Sequence, residues 1–291
     1  MSDFSLILAT YGRREELVRF LESLCGQTIG KSGFELIVVD QNDAIDLAPI
    51  LGEYADRMEL THVRSPVKGL SYNRNIGLDR SRGRIVAFPD DDCRYYPDTL
   101  DRVRRAFDAE PDAEMVVGAI YDREQRRPLI REWPERRVVL DKGNFFLLYS
   151  SITLFSKRTR ERFDEELGVG RSFGGYEDTD YVFRALASGA KTVFVPEVQV
   201  WHPDRCSTDR MPMEAVASYG RGFGAFAAKN LCIPVLWLFL KALGLHLGVW
   251  LWRLARGDRE GAARRWEAFS SRLEGLVRHL RDHRTRPPAR S

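Results

Sequence analysis

Cysteine is scarce in this chain of 291 residues and is never closely paired. Cys25, Cys93, Cys206 and Cys232 lie far apart with no Cys-x-x-Cys spacing. That argues against a disulfide framework and fits a reduced, cytosolic compartment. Histidine is sparse too, at five residues. His202 and Cys206 have a spacing that zinc tolerates, but no second pair accompanies them, so a four-ligand zinc site is not expected. The stretch from Met1 to Thr10 contains an acid and only a short apolar run, unlike a signal peptide. There is no internal repeat, and the net charge of +3 does not call for a nucleic-acid partner. What is present is enough apolar material, 44% of residues, to build a full core.

Charge is unevenly spread. From Arg253 to Ser291 there are 11 arginines against five acids, so the tail is strongly basic and the rest of the chain slightly acidic. A basic tail on such a body points toward an anionic surface. Just before it, residues 231–254 are overwhelmingly apolar, long enough to cross a bilayer at about 20 residues. Pro234, Lys241 and His246 oppose an easy crossing, and Trp237, Trp250 and Trp252 favour an interface. Three readings of this stretch stay open: a helix lying in the membrane plane, a true span or re-entrant pair, and a buried core or dimer helix. Residues 266–281 read as a basic amphipathic helix.

Between the N-terminus and residue 211 the pattern alternates. Phe4–Ala9 and Phe34–Val39 are continuous apolar strands, with a helical repeat of Leu17, Phe20, Leu21 and Leu24 between them. Helices are expected near 46–54, 71–79, 97–107 and 177–188, and strands near 58–63, 84–88, 114–120, 151–155 and 191–195. Alternation of this kind implies an α/β fold, a mostly parallel sheet covered by helices on both faces. Ligands of open α/β sheets bind at the carboxyl ends of the strands. Thr10-Tyr11, Asp40 and Asp90-Asp91-Asp92 all stand at such ends.

The acidic triplet is the most telling of these. Three adjacent carboxylates after a buried strand repel one another unless cations join them. Hard oxygen ligands suit Mg²⁺ or Mn²⁺, and such ions commonly accompany phosphates. A second acidic group, Glu177-Asp178-Thr179-Asp180, follows Gly174-Gly175 and can supply a general base. Cation, phosphate and base together predict transfer chemistry on a nucleotide-activated substrate.

Five segments in order carry a resemblance. They are Ser5-Leu-Ile-Leu-Ala-Thr-Tyr-Gly-Arg13, Val38-Val-Asp-Gln-Asn42, Gly69-Leu-Ser-Tyr-Asn-Arg-Asn-Ile-Gly77, Phe88-Pro-Asp-Asp-Asp92 and Gly175-Tyr-Glu-Asp-Thr-Asp180. Over about residues 3–205 the chain resembles a family 2 glycosyltransferase of the GT-A fold, an inverting enzyme dependent on a nucleotide sugar. The resemblance implies that Thr10, Tyr11 and Arg13 lie against the nucleotide and that Asp40 accepts a hydrogen bond from its base. It implies that Arg74 and Asn75 approach the phosphates. Asp92 is implied as metal ligand, with Asp90 near the ribose and His202 completing the metal shell. Asp178 is the implied general base, with Glu177 in reserve. Arg205 and Arg210 are candidates to close over the diphosphate.

The expected architecture is a GT-A domain over residues 1–211 and a C-terminal helical, membrane-associating extension over 212–291. The expected reaction transfers a sugar from a nucleoside diphosphate donor, UDP in the first instance, to an acceptor hydroxyl on a lipid-linked or cell-surface glycan. The expected place is the cytoplasmic face of the membrane. The Gln-x-x-Arg-Trp signature of processive synthases is absent, and His202-Pro-Asp-Arg-Cys206 stands in its place, so one sugar per encounter is expected. Two alternatives differ in kind. A nucleotidyltransferase on a similar sheet needs a glycine- and basic-rich loop after the first strand, which Thr10-Tyr-Gly-Arg-Arg-Glu matches poorly. An inactive membrane-associated assembly module of the same fold need not retain Asp90, Asp92 and Asp178.

Overall fold

A computed structural model describes residues 2–157, 161–203, 208–209 and 211–284. Arg205, Cys206 and Arg210 therefore lie outside the described residues. The chain forms two compact units, Met1–Arg162 with Arg184–Asp204, and Phe163–Phe183 with Arg205–Ser291. The sequence reading keeps everything up to residue 211 with the sheet, whereas Phe163–Phe183 clusters with the C-terminal residues.

The first unit begins with β1 (Phe4–Thr10), α1 (Glu15–Cys25), β2 (Phe34–Asp40), α2 (Ala48–Gly52), β3 (Glu59–Arg64), α3 (Leu70–Arg80) and β4 (Ile85–Ala87). It continues with β5 (Arg94–Tyr95), α4 (Thr99–Ala109), β6 (Met115–Asp122), β7 (Arg127–Pro128), β8 (Val138–Val139), α5 (Phe145–Leu148) and β9 (Leu154–Lys157). Later in the chain come α6 (Glu177–Ala187), which opens with the second acidic segment and is divided between the two units, and β10 (Thr192–Trp201) of the first unit. Among the described residues the main sheet runs β3-β2-β1-β4-β9-β6-β10-β5. β3, β2, β1 and β4 are parallel, while β9 lies antiparallel between β4 and β6. The mixed sheet is thus parallel on the side that carries the early motifs.

β1 and β2 are buried along nearly their whole length, which requires cover on both faces and explains their unbroken apolar runs. α1 packs with Leu17, Phe20, Leu21 and Leu24 buried, the stripe its spacing predicted. α3 carries little apolar periodicity and buries Ser71, Asn73, Arg74 and Asn75 instead. It can do so because Gly77 brings it hard against β1: a Cβ there would stand 2.2 Å from Cγ2 of Ile7. Register aligns the strand ends. Thr10 pairs with Asp40, and Asp40 with Arg64, across three adjacent strands.

The second unit holds three long helices, α7 (Met213–Lys229), α8 (Ile233–Ala255) and α9 (Arg259–Arg284). α7 was not legible as a helix, because Gly220, Gly222 and Gly224 lower helix propensity. Packing against α9 accounts for two of them. A Cβ on Gly220 would meet Oγ of Ser271 at 1.8 Å, and one on Gly224 would meet the Arg272 carbonyl at 2.1 Å, so α7 and α9 approach at backbone range. α8 is a single helix that buries Val235, Phe239 and His246. Its other face carries Leu236, Leu240, Leu247, Leu251 and Leu254 at helical spacing, all exposed.

Candidate active site

The acidic triplet is held by residues from four separate parts of the first unit. Thr10, the last residue of β1, donates its hydroxyl to Asp91 Oδ2 at 2.6 Å. Arg13 follows in the next loop and pairs with the other oxygen of Asp91 and, at 2.9 Å, with Asp92. Arg74 on α3, only 2% exposed, reaches Asp90 at 3.3 Å. His202 Nε2 stands 3.3 Å from Asp92 Oδ1. Strand pairing puts it there: β10 runs antiparallel to β5, with Trp201 opposite Arg94, and β5 starts two residues after Asp92. Ligand atoms of Asp90, Asp92 and His202 all lie within 4.8 Å of one another.

The three carboxylates are not equivalent. Burial pushes Asp91 above the usual carboxylate range despite the Thr10 hydrogen bond and the Arg13 charge. At Asp92 the same effect of burial is outweighed by the hydrogen bond and charge of His202 and the charge of Arg13, so its carboxyl sits low. Burial would lower His202, but the Asp92 hydrogen bond and charge raise it above its usual value. Asp91 therefore braces the loop, with both oxygens committed to Thr10 and Arg13. Asp90, Asp92 and His202 form a donor set of two carboxylates and one imidazole. That set fits Mn²⁺ or Mg²⁺, and the span between its atoms suits a single ion.

Beside the triplet, Asp40 is fully buried. Its Oδ1 accepts from the backbone N–H and side-chain amide of Asn42, both at 2.8 Å, and its Oδ2 lies 3.0 Å from His62 Nε2. Asn42 in turn accepts from the Gly12 N–H at 2.7 Å, tying the β1 and β2 loops together. Tyr11 is 60% exposed, and Lys68 Nζ lies 4.4 Å from its ring centroid. Asn75 is buried on α3, and its carbonyl accepts from Arg162.

The second acidic segment belongs to the second unit. Glu177, Asp178 and Asp180 occupy the first turn of α6, where the helix dipole favours negative charge. Glu177 is 5% exposed, whereas Asp178 is half-buried and accepts from the Thr179 N–H at 2.8 Å.

Comparison with known proteins agrees with this layout. The profile described as "Glycosyl transferase family 2" matches residues 5–177, more than half of the chain. The chain belongs to glycosyl transferase family 2. Among curated relatives, this family 2 chain is 25% identical over 214 residues to the minor teichoic acid biosynthesis protein GgaB of Bacillus subtilis. The match covers 66% of this chain and 24% of GgaB. In fold it is similar to S. aureus TarS 1–349 in complex with UDP-GlcNAc, at a TM-score of 0.63 and 18% identity, covering 98% of this chain and 92% of that one. It is similar also to the mannosyltransferase PcManGT from Pyrobaculum calidifontis in complex with GDP-Man and Mn²⁺, at a TM-score of 0.58 and 15% identity over 96% of this chain and 87% of that one. The GT-A fold expected from the motifs is the fold found.

Several residues of this family 2 chain escaped the sequence reading. Asn42 and His62 hold Asp40, yet one looks like a turn residue and the other stands on a weakly patterned strand. Lys68 gave no signal at all beyond its place before Gly69. Thr10 and Arg13, expected against the nucleotide, contact the triplet directly.

Proposed function

We propose that this chain transfers a sugar from a nucleoside diphosphate sugar to an acceptor hydroxyl, with inversion and with the help of Mn²⁺ or Mg²⁺. The observation that carries the reading is the convergence of Asp90, Asp92 and His202 within 4.8 Å at the carboxyl ends of the strands. When bound there, a divalent cation supplies charge neutralisation for the diphosphate. Arg74 presents a guanidinium fork suited to phosphate oxygens, and Asn75 lies beside it on α3. Tyr11 offers an exposed aromatic face to a nucleobase, next to Thr10 and Arg13. Asp40 offers the base at most the remaining lone pair of Oδ2, since Asn42 takes Oδ1 and His62 already occupies the other oxygen.

Asp178 acts as general base, being the more accessible of the pair at the head of α6. It takes the proton of the acceptor O–H. The acceptor oxygen then bonds to the anomeric carbon as the bond from that carbon to the diphosphate oxygen breaks, and the electron pair leaves with the nucleoside diphosphate. Attack from the face opposite the leaving group inverts the carbon. UDP is the first choice of nucleotide, supported by the UDP-GlcNAc complex of the structurally similar TarS. The cation is supported by Mn²⁺ in the PcManGT complex. Absence of the processive signature after β10 supports one transfer per encounter.

The acceptor is a lipid-linked or cell-surface glycan, met at the cytoplasmic face of the membrane. The teichoic acid role named for GgaB supports the glycan, and α8 supports the membrane. That helix is long and apolar enough to span, with 17% of its most apolar window buried, yet it holds Val235, Phe239 and His246 inside its own unit. An in-plane helix that immerses its outer leucines and Trp237 fits both facts.

Calorimetry tests the reading: UDP, GDP and dTDP, each with and without Mn²⁺, titrated into wild type and Asp92→Ala. Binding of one nucleotide that depends on Mn²⁺ and disappears in the variant is the expected result, and it narrows the donor to that nucleotide's sugars. Failure of all three to bind wild type with Mn²⁺ present sinks the reading and favours an inactive assembly module.

A further inference from the structure

Two residues beyond the proposed base, Asp180 is fully buried in the second unit. Its two oxygens are taken by the end of α7: Lys229 Nζ reaches Oδ2 at 2.9 Å, and the Asn230 amide donates to Oδ1 at 2.9 Å. Lys229 also reaches Asp164 at 2.6 Å, so one ammonium bridges two carboxylates. Asn230 is itself fixed, because its amide also donates to the Phe226 carbonyl at 3.2 Å. A buried carboxylate with an ammonium and an amide in place is a high-stakes contact, since removing the ammonium leaves charge uncompensated and removing the amide leaves a buried oxygen without its donor.

The turn leading into α6 is docked on the same helix. Gly175 and Tyr176 both have positive φ, +82° and +68°, and Tyr176 is not a glycine. Such a conformation costs about 1 kcal/mol or more and persists only where packing over-determines it. α7 supplies that packing. A Cβ on Gly222 would stand 2.2 Å from the Gly174 carbonyl, and one on Gly174 would stand 1.8 Å from Oγ of Ser218. The Tyr176 ring lies 5.0 Å from that of Phe223. Backbone contact on one side of Glu177-Asp178 and the Asp180 clamp on the other leave this pair little freedom.

We infer that Lys229 and Asn230 are positioning residues that set the place of Asp178 through Asp180, which makes α7 part of the catalytic apparatus. The inference rests on the assignment of Asp178 as base. It separates from that assignment because it also predicts a property of α6 that needs no turnover.

The test compares Lys229→Met, Lys229→Arg and Asn230→Ala with wild type in the full chain. Turnover is read as nucleoside diphosphate release from the sugar of whichever nucleotide binds with Mn²⁺, and nucleotide affinity is read by calorimetry. Loss of position costs kcat about 10- to 100-fold while nucleotide affinity stays unchanged, and Lys229→Arg restores most of it. In parallel, hydrogen exchange follows the Asp180 amide, which donates to the Tyr176 carbonyl at 2.9 Å in the first turn of α6. That amide should lose protection in Lys229→Met and Asn230→Ala. If Lys229→Met does not fold, Asn230→Ala carries both readouts. Folded variants with wild-type kcat and wild-type exchange overturn the inference. Loss of Asp180 protection in a chain whose wild type binds no nucleotide upholds the clamp and instead defeats the assignment of the base.

Discussion

The two acidic segments of this chain are stabilised in opposite ways. Asp90-Asp91-Asp92 gathers partners from sites remote in sequence: Thr10 and Arg13 after β1, Arg74 on α3 and His202 after β10. Glu177-Asp178-Thr179-Asp180 sits at a helix start, where the dipole favours negative charge, and draws its strongest support from one helix end, Lys229 and Asn230. A triplet at a strand tip has no local device to neutralise it and must be assembled by the fold. An acidic helix start is locally favourable and needs the fold only to aim it. In the function proposed above, the first segment binds and the second does chemistry.

The sharpest way to break that contrast is Asp178→Asn. Removal of a general base should lower kcat by about 10²- to 10⁴-fold with nucleotide affinity unchanged by calorimetry. A loss of affinity equal to the loss of rate would show the second segment binding as well. Next is Asp91→Ala, which strips Thr10 and Arg13 of their shared partner. It should cost about 2 kcal/mol in urea unfolding. If Asp91 were merely a solvated turn residue, the midpoint would barely move.

Two histidines extend the comparison to pH. His246 on α8 is buried, and burial, with Arg272 and Arg265 nearby, pushes it down to about 4. The unfolded chain therefore binds the extra proton first, and stability falls as pH drops from about 6.5 toward about 4. The loss between pH 7 and 5 should be on the order of 1 kcal/mol, and His246→Leu should flatten it. His202 runs the other way. Its raised pKa gives stability present at low pH and lost as pH rises through the folded value. The smallest effect on stability is expected from Trp237→Ser, since that ring is 68% exposed. Unfolding should shift by less than about 0.5 kcal/mol, while co-sedimentation with anionic phospholipid vesicles falls. Unchanged sedimentation would remove α8 from the membrane surface.

Legibility differed between regions for physical reasons. β1, β2 and α1 announce themselves because they bury continuous or periodic apolar surface. α3 and α7 do not. The one packs a polar face inward behind Gly77, and the other uses glycines to reach α9 and the turn before α6. The resemblance gives Asp90 and Asp92 roles but none to Asp91, because adjacent carboxylates look alike in a string of letters. Only folded contacts separate the three: Thr10 bonds Asp91, Arg74 reaches Asp90 and His202 reaches Asp92.

The sequence by itself determined the alternation of strand and helix, the polar residues at the strand ends and the order of the family motifs, because these follow from local periodicity and turn chemistry. Tertiary structure alone decided which carboxylates face the common point, that β5 and β10 pair to bring His202 to Asp92, and that Asp180 is clamped by Lys229 and Asn230. Those contacts join residues many positions apart. Their stability comes from burial and charge compensation, which no local pattern records.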